Sequence, residues 1–139
     1  MANINAMRQY QEQVMNTATP GMVTVMLFEE IIKNINLGMK AIDEHNIQDS
    51  HNSILKAESI YLALHGYLDE RFEISKSLST LYEFLASRLV EANVKKDKVI
   101  LKEVLAFTTE FRDTWRQAEK NARIEQMKLG AARINKVNK

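Results

Sequence analysis

The sequence predicts an all-α fold: an antiparallel up-down-up-down four-helix bundle with a short N-terminal helical arm. Three observations predict it. Only four Gly and one Pro occur in 139 residues, whereas the strong helix formers Ala, Leu, Met, Glu, Lys and Gln are plentiful. Apolar residues recur at alternating spacings of three and four in four separate stretches, the period of a helix rather than of a strand. The breaks between these stretches are a few residues long, and short connections make successive helices antiparallel neighbours.

The elements follow in order. Ile4, Met7, Val14 and Met15 make a weak amphipathic pattern, an arm over residues 1–16 in which Tyr10 is the lone aromatic. After the polar stretch Asn16 to Thr19, Thr19 is placed to cap a helix and Pro20 to occupy its first position. That helix is expected to run to about Glu44, with Val25, Phe28, Ile32, Ile35, Met39 and Ile42 as its core seam. His45 to Gln48 forms a break, and Asp49 or Ser50 can cap a second helix to about Asp69, with Ile54, Ala57, Tyr61, Leu64 and Leu68 inward. Ser75 or Ser77 can cap a third helix to about Asn93, built on Leu78, Leu81, Leu85, Leu89 and Ala92, with Tyr82 on its flank. Asp97 can cap the last, with Leu101, Val104, Thr108, Phe111, Trp115, Ala118 and Ala122 in period. Periodicity fades after Ala122. The expected organisation is one domain over residues 1–139: arm 1–16, bundle 20–122, and a frayed or disordered basic tail 123–139.

Composition narrows the function. Without cysteine there is no disulfide, thiolate metal site or thiol nucleophile. No run of 18 apolar residues is present, so no membrane insertion is expected. A net charge of +1 argues against a general nucleic-acid binder. The charge is uneven, however: Arg112 to Lys139 holds eight Lys+Arg against three Asp+Glu, a stretch suited to RNA, a membrane surface or an acidic partner, or simply to solvent. A di-iron bundle needs Glu-x-x-His twice, but Ile42, Gln48 and Leu62 stand three before His45, His51 and His65. No P-loop, G-x-G-x-x-G or G-x-S-x-G occurs. Neither an enzyme nor a cofactor or metal site is expected.

Surface is what remains. Six of seven methionines precede Ala41, and Met is favoured where irregular apolar partners are accepted. Met22 and Met26 lie off the heptad seam, as candidates for a partner groove. The residues alone therefore point to a helical interaction module for an apolar or amphipathic segment of another protein.

Particular wording points further. Tyr10, Val14-Met15-Asn16-Thr17-Ala18-Thr19-Pro20, Met26-Leu27-Phe28-Glu29 and Ile31 resemble the opening of the flagellin export chaperone family (FliS). Lys56-Ala57, Ile60, Leu64 and Leu68-Asp69 resemble its second helix. Leu78-Ser79-Thr80-Leu81-Tyr82, Leu89 and Ala92-Asn93 resemble its third, and Arg112 and Trp115 its last. Phe28 stands where the family usually has tyrosine. The resemblance spans about Tyr10 to Trp115. It implies a cytoplasmic chaperone that binds the disordered C-terminal region of flagellin, prevents premature polymerisation and aids delivery to the flagellar type III export gate. On that implication the client-binding candidates are Tyr10, Met22, Val23, Met26, Leu55, Leu62 and Tyr82, with the arm around Tyr10 covering part of the groove until client displaces it. The alternative is a self-assembling adaptor or structural bundle whose extra apolar surface serves a homodimer.

Overall fold

The computed structural model describes residues 19–137, together with Ala6 and Gln9. Four helices carry the described chain, with no strand among these residues: α1 (Pro20–Asp43), α2 (Ile47–Gly66), α3 (Ile74–Lys95) and α4 (Lys98–Val137). The predicted all-α class is the observed one. Met26–Arg112 forms one compact unit, and Asp113–Lys139 belongs to a second together with the beginning of α1 up to Val25.

Within Met26–Arg112 the helices run antiparallel in sequence. Gly38 of α1 lies against Ile54 of α2, so close that a Cβ at Gly38 would stand 2.9 Å from Ile54 Cγ1. His51 meets Asn93 at one end of the α2–α3 pair, and His65 meets Ser79 at the other. Arg88 of α3 reaches Glu103 of α4 at 2.7 Å. Lys98, opening α4, meets Asp43, closing α1.

The centre is aromatic. Phe28 of α1 stacks near Phe111 of α4 (5.7 Å between centroids) and edge-on to Tyr82 of α3 (6.5 Å). Tyr61 of α2 lies 5.9 Å from Tyr82. One residue from each helix thus meets at a single level. Around them Ile31, Ile35, Ile54, Ala57, Leu85, Leu89, Ala92, Leu101 and Val104 are fully buried. The Tyr61 hydroxyl bonds the Thr108 hydroxyl, and Thr108 also donates to the Val104 carbonyl at 2.8 Å. Two buried polar groups are satisfied this way, which spares the desolvation penalty of an unpaired one. Burial raises both phenol pKa values: Tyr82 to about 12, and Tyr61 further still.

Local chemistry explains the helix ends. Thr19 caps α1 as predicted, its Oγ1 accepting from the Met22 N–H at 3.2 Å. Asp97 caps α4 as predicted, accepting from Val99 N–H at 2.8 Å. The other two starts differ from expectation. Asn46, not Asp49 or Ser50, caps α2: its Oδ1 accepts from Asp49 N–H at 3.1 Å while its Nδ2 donates to the Asp49 carboxylate at 2.7 Å. Ser75 and Ser77 lie inside α3, which starts at Ile74 after Glu73 without a side-chain cap. Ser75 Oγ donates instead to the Asp69 carbonyl at 2.6 Å. Two helices end on a non-glycine residue in the left-handed region, His45 (φ 56°) and Lys96 (φ 51°). In each, the next N–H bonds the carbonyl five residues back, Asn46 to Ala41 and Asp97 to Ala92, the helix-closing geometry usually given to glycine.

The core stripe of α1 departs from the predicted seam. Val25, Phe28 and Ile35 are buried as expected, but Ile31, Gly38 and Ala41 take the positions assigned to Ile32, Met39 and Ile42, which are half-buried. Ile31, Gly38 and Ala41 share the side of α1 on which Gly38 meets Ile54 of α2, so the neighbouring helix, and not the heptad count, sets the buried line. The last helix also runs on past Ala122 to Val137.

Candidate functional site

The seven client-binding candidates separate when placed on the fold. Tyr10 lies outside the described residues. Tyr82, taken from sequence as a flank and groove residue, is 2% exposed and belongs to the core. Its position one residue after Leu81 looked peripheral, but α3 turns Tyr82 inward and leaves Leu78 and Leu81 half-buried. Met22, Val23 and Met26 are half-buried along α1. Around Met22 the backbone is held by the Thr19 cap, and Thr19 Oγ1 itself donates to Glu119 of α4 at 3.0 Å. A side chain at Gly21 would collide with that Glu119 carboxylate.

Leu55 and Leu62 stand apart from the others. They are 43% and 53% exposed, seven residues apart, and therefore on one line of α2. Facing Leu55 across the α2–α3 pair are two residues the sequence reading passed over, Val90 and Val94, 43% and 80% exposed. Their signal was present: they are four apart and off the Leu85–Leu89–Ala92 stripe. Leu55, Val90 and Val94 line a cleft of about 300 Å³, whose rim is polar at His51, Glu58 and Asn93. At the opposite end of the same pair, a cleft of about 430 Å³ is bounded by His65, Leu68, Glu70, Ser75, Lys76 and Ser79. Apolar side chains left at the surface in a line beside such clefts are what a docking segment can cover.

The polar groups at the second cleft do not form a reactive set. His65 Nε2 is 2.7 Å from Ser79 Oγ and 3.0 Å from Glu83 Oε1. A hydroxyl-activating relay needs the carboxylate on the other ring nitrogen, where it orients the base. Here both partners meet the same nitrogen, which joins α2 to α3. Arg88 has a comparable structural role, holding Glu91 and Glu103 at 2.7 Å each. Its Nε is buried without a partner among the described residues. Glu91, bonded to both Lys95 and Arg88, has its pKa lowered, chiefly by Lys95. No group of His, Asp or Glu among the described residues could hold a metal ion.

A four-helix unit with apolar residues at the surface beside clefts between two helices, and no reactive constellation among the described residues, has the character of a protein-binding module. The comparisons give that class its family. The family model described as "Flagellar protein FliS" matches residues 3–122. A flagellar secretion chaperone FliS of Bacillus subtilis (strain 168) is 37% identical over 123 residues, covering 88% of this chain and 92% of that protein. The flagellar secretion chaperone FliSB of Pseudomonas aeruginosa is 31% identical over 121 residues, covering 83% and 96%. A crystal structure titled as a flagellar chaperone from bacteria superposes with a TM-score of 0.70 at 19% identity, over 86% of this chain and 98% of that one, and supports the fold. The chain belongs to the FliS family of flagellar secretion chaperones, a family of chaperones and not of enzymes.

Proposed function

We propose that this protein is a cytoplasmic export chaperone that holds the disordered C-terminal region of flagellin, keeps it from polymerising and hands it to the flagellar export gate. The observation that carries the reading is the outward line of Leu55 and Leu62 on α2, with Val90 and Val94 of α3 beside Leu55, in a chain of this family. An amphipathic client segment laid along these residues buries apolar surface at about 25 cal/mol per Å². It orders as it binds, which offsets part of that gain. The client surface so covered is unavailable for self-assembly. Met22, Val23 and Met26 of α1 are further candidates for client contact, and no membrane-crossing helix is present among the described residues.

The arm containing Tyr10 is proposed to compete with client for this surface. Deleting Met1 to Asn16 then raises client affinity, and an unchanged or lower affinity removes the arm from the account. Calorimetric titration with the C-terminal segment of flagellin tests the main reading. Saturable binding with a strongly negative heat-capacity change supports it, because apolar burial produces that change. A folded protein that ignores flagellin and instead forms a dimer in light scattering supports the self-assembling alternative.

A further inference from the structure

The match to the family model ends at Ala122, but α4 continues unbroken to Val137. On this extension Ile124, Met127, Ala131 and Ile134 follow at spacings of three, four and three, the a and d positions of two heptads. They are not spent on a core. Ile124, Met127 and Ile134 are 42%, 73% and 63% exposed, and Ala131 is exposed as well. The buried side of this part of α4 is another: Trp115, Glu119 and Gly130 are the partly covered residues there.

The positions flanking the seam decide what can pair with it. In this register Arg123 falls at g and Lys128 at e; the remaining e and g residues, Asn121, Gly130, Asn135 and Val137, are uncharged. Neither Arg123 nor Lys128 has an ion-pair partner among the described residues. A second copy is a poor occupant. Pairing two such helices in parallel sets Arg123 against Lys128 of the other copy, and pairing them antiparallel over these two heptads sets Lys128 against Lys128. Charges at e and g choose coiled-coil partners, and juxtaposed like charges reject them.

We infer that the end of α4 is a docking helix for an acidic amphipathic helix of another protein, one with apolar a and d residues and Glu or Asp at e and g. None of these residues lines the α2–α3 clefts, so the inference stands or falls independently of the flagellin reading.

The test uses the full chain and two synthetic three-heptad peptides of identical apolar seam, one with Glu and one with Lys at e and g. Fluorescence anisotropy should show saturable binding of the Glu peptide, weakening as salt rises, and none of the Lys peptide. Met127→Glu should lower affinity for the Glu peptide about tenfold or more. Since Met127 is 73% exposed, its circular dichroism and melting curve should not change. The double change Arg123→Glu with Lys128→Glu should exchange the preference to the Lys peptide. Equal binding of both peptides overturns the inference, as does binding of neither. It is equally overturned if the chain ignores the peptides but binds vesicles of anionic lipid through these residues, or self-associates through them.

Discussion

Leu62 and Leu64 lie two residues apart on α2 and have opposite duties. Leu64 is 4% exposed and Leu62 is 53% exposed. The inner line of α2, Ile54, Ala57, Tyr61 and Leu64, is locked by neighbours on all three other helices. The outer line, Leu55 and Leu62, stands at the surface, with Leu55 lining a cleft beside α3. The same residue type thus serves stability on one face and stands exposed on the other, the face proposed to hold client. Burial separates the two roles where hydrophobicity alone cannot. A substitution on the inner line should unfold the protein; one on the outer line should leave it folded and incapable of holding client.

The largest expected effect is on the inner face. Tyr61→Ala empties the aromatic centre and removes the bond to Thr108, so urea denaturation should show a loss of about 3–5 kcal/mol. Next comes the contact that brings α1 against α2. Gly38→Ala drives a methyl to within 2.9 Å of Ile54 Cγ1, and overpacking of this kind costs about 1–3 kcal/mol, readable as a lower melting temperature. Alkaline pH probes the same face without mutation. Both buried phenols have raised pKa values, Tyr82 at about 12 against the ordinary 10.0. The unfolded chain therefore ionises first. Stability should be level below pH 10 and fall above it, by at most about 1.4 kcal/mol per pH unit for each tyrosine. Tyr61→Phe should remove part of that slope. The smallest effect on stability belongs to the outer face: Leu55→Glu and Leu62→Glu should each stay within about 0.5 kcal/mol of wild type, as exposed substitutions do.

Much of this was legible in the sequence. Period, breaks and connection lengths define four antiparallel helices, and Thr19 and Asp97 read as caps because their hydroxyl and carboxylate precede helical periodicity directly. What sequence missed has physical causes. The helix ends near Glu44 and Asn93 were legible to within two residues, but their closure was not: His45 and Lys96 take the left-handed region, where glycine is the usual signal. Asn46 caps α2 in reciprocal partnership with Asp49, and the acidic member drew the assignment three residues late. Past Ala122 the helix continues although its apolar positions are exposed rather than buried. Arg, Gln, Glu, Lys and Ala sustain helical backbone in solvent. For the candidate site, spacing singled out Leu55 and Leu62 but could not tell Tyr82 from a surface ring. One residue of helical phase, about 100°, decides that, and phase is set by the neighbours a helix meets.

The most direct measurement of the central claim pairs two readouts on one variant carrying both Leu55→Glu and Leu62→Glu. Its melting temperature and its calorimetric affinity for the C-terminal segment of flagellin should be measured against wild type. The account predicts an unchanged melting temperature and an affinity lowered by about tenfold or more, the equivalent of losing roughly 1.4 kcal/mol of apolar contact. A variant that melts like wild type and binds flagellin equally well would contradict it, because the outer face of α2 would then have no part in holding client.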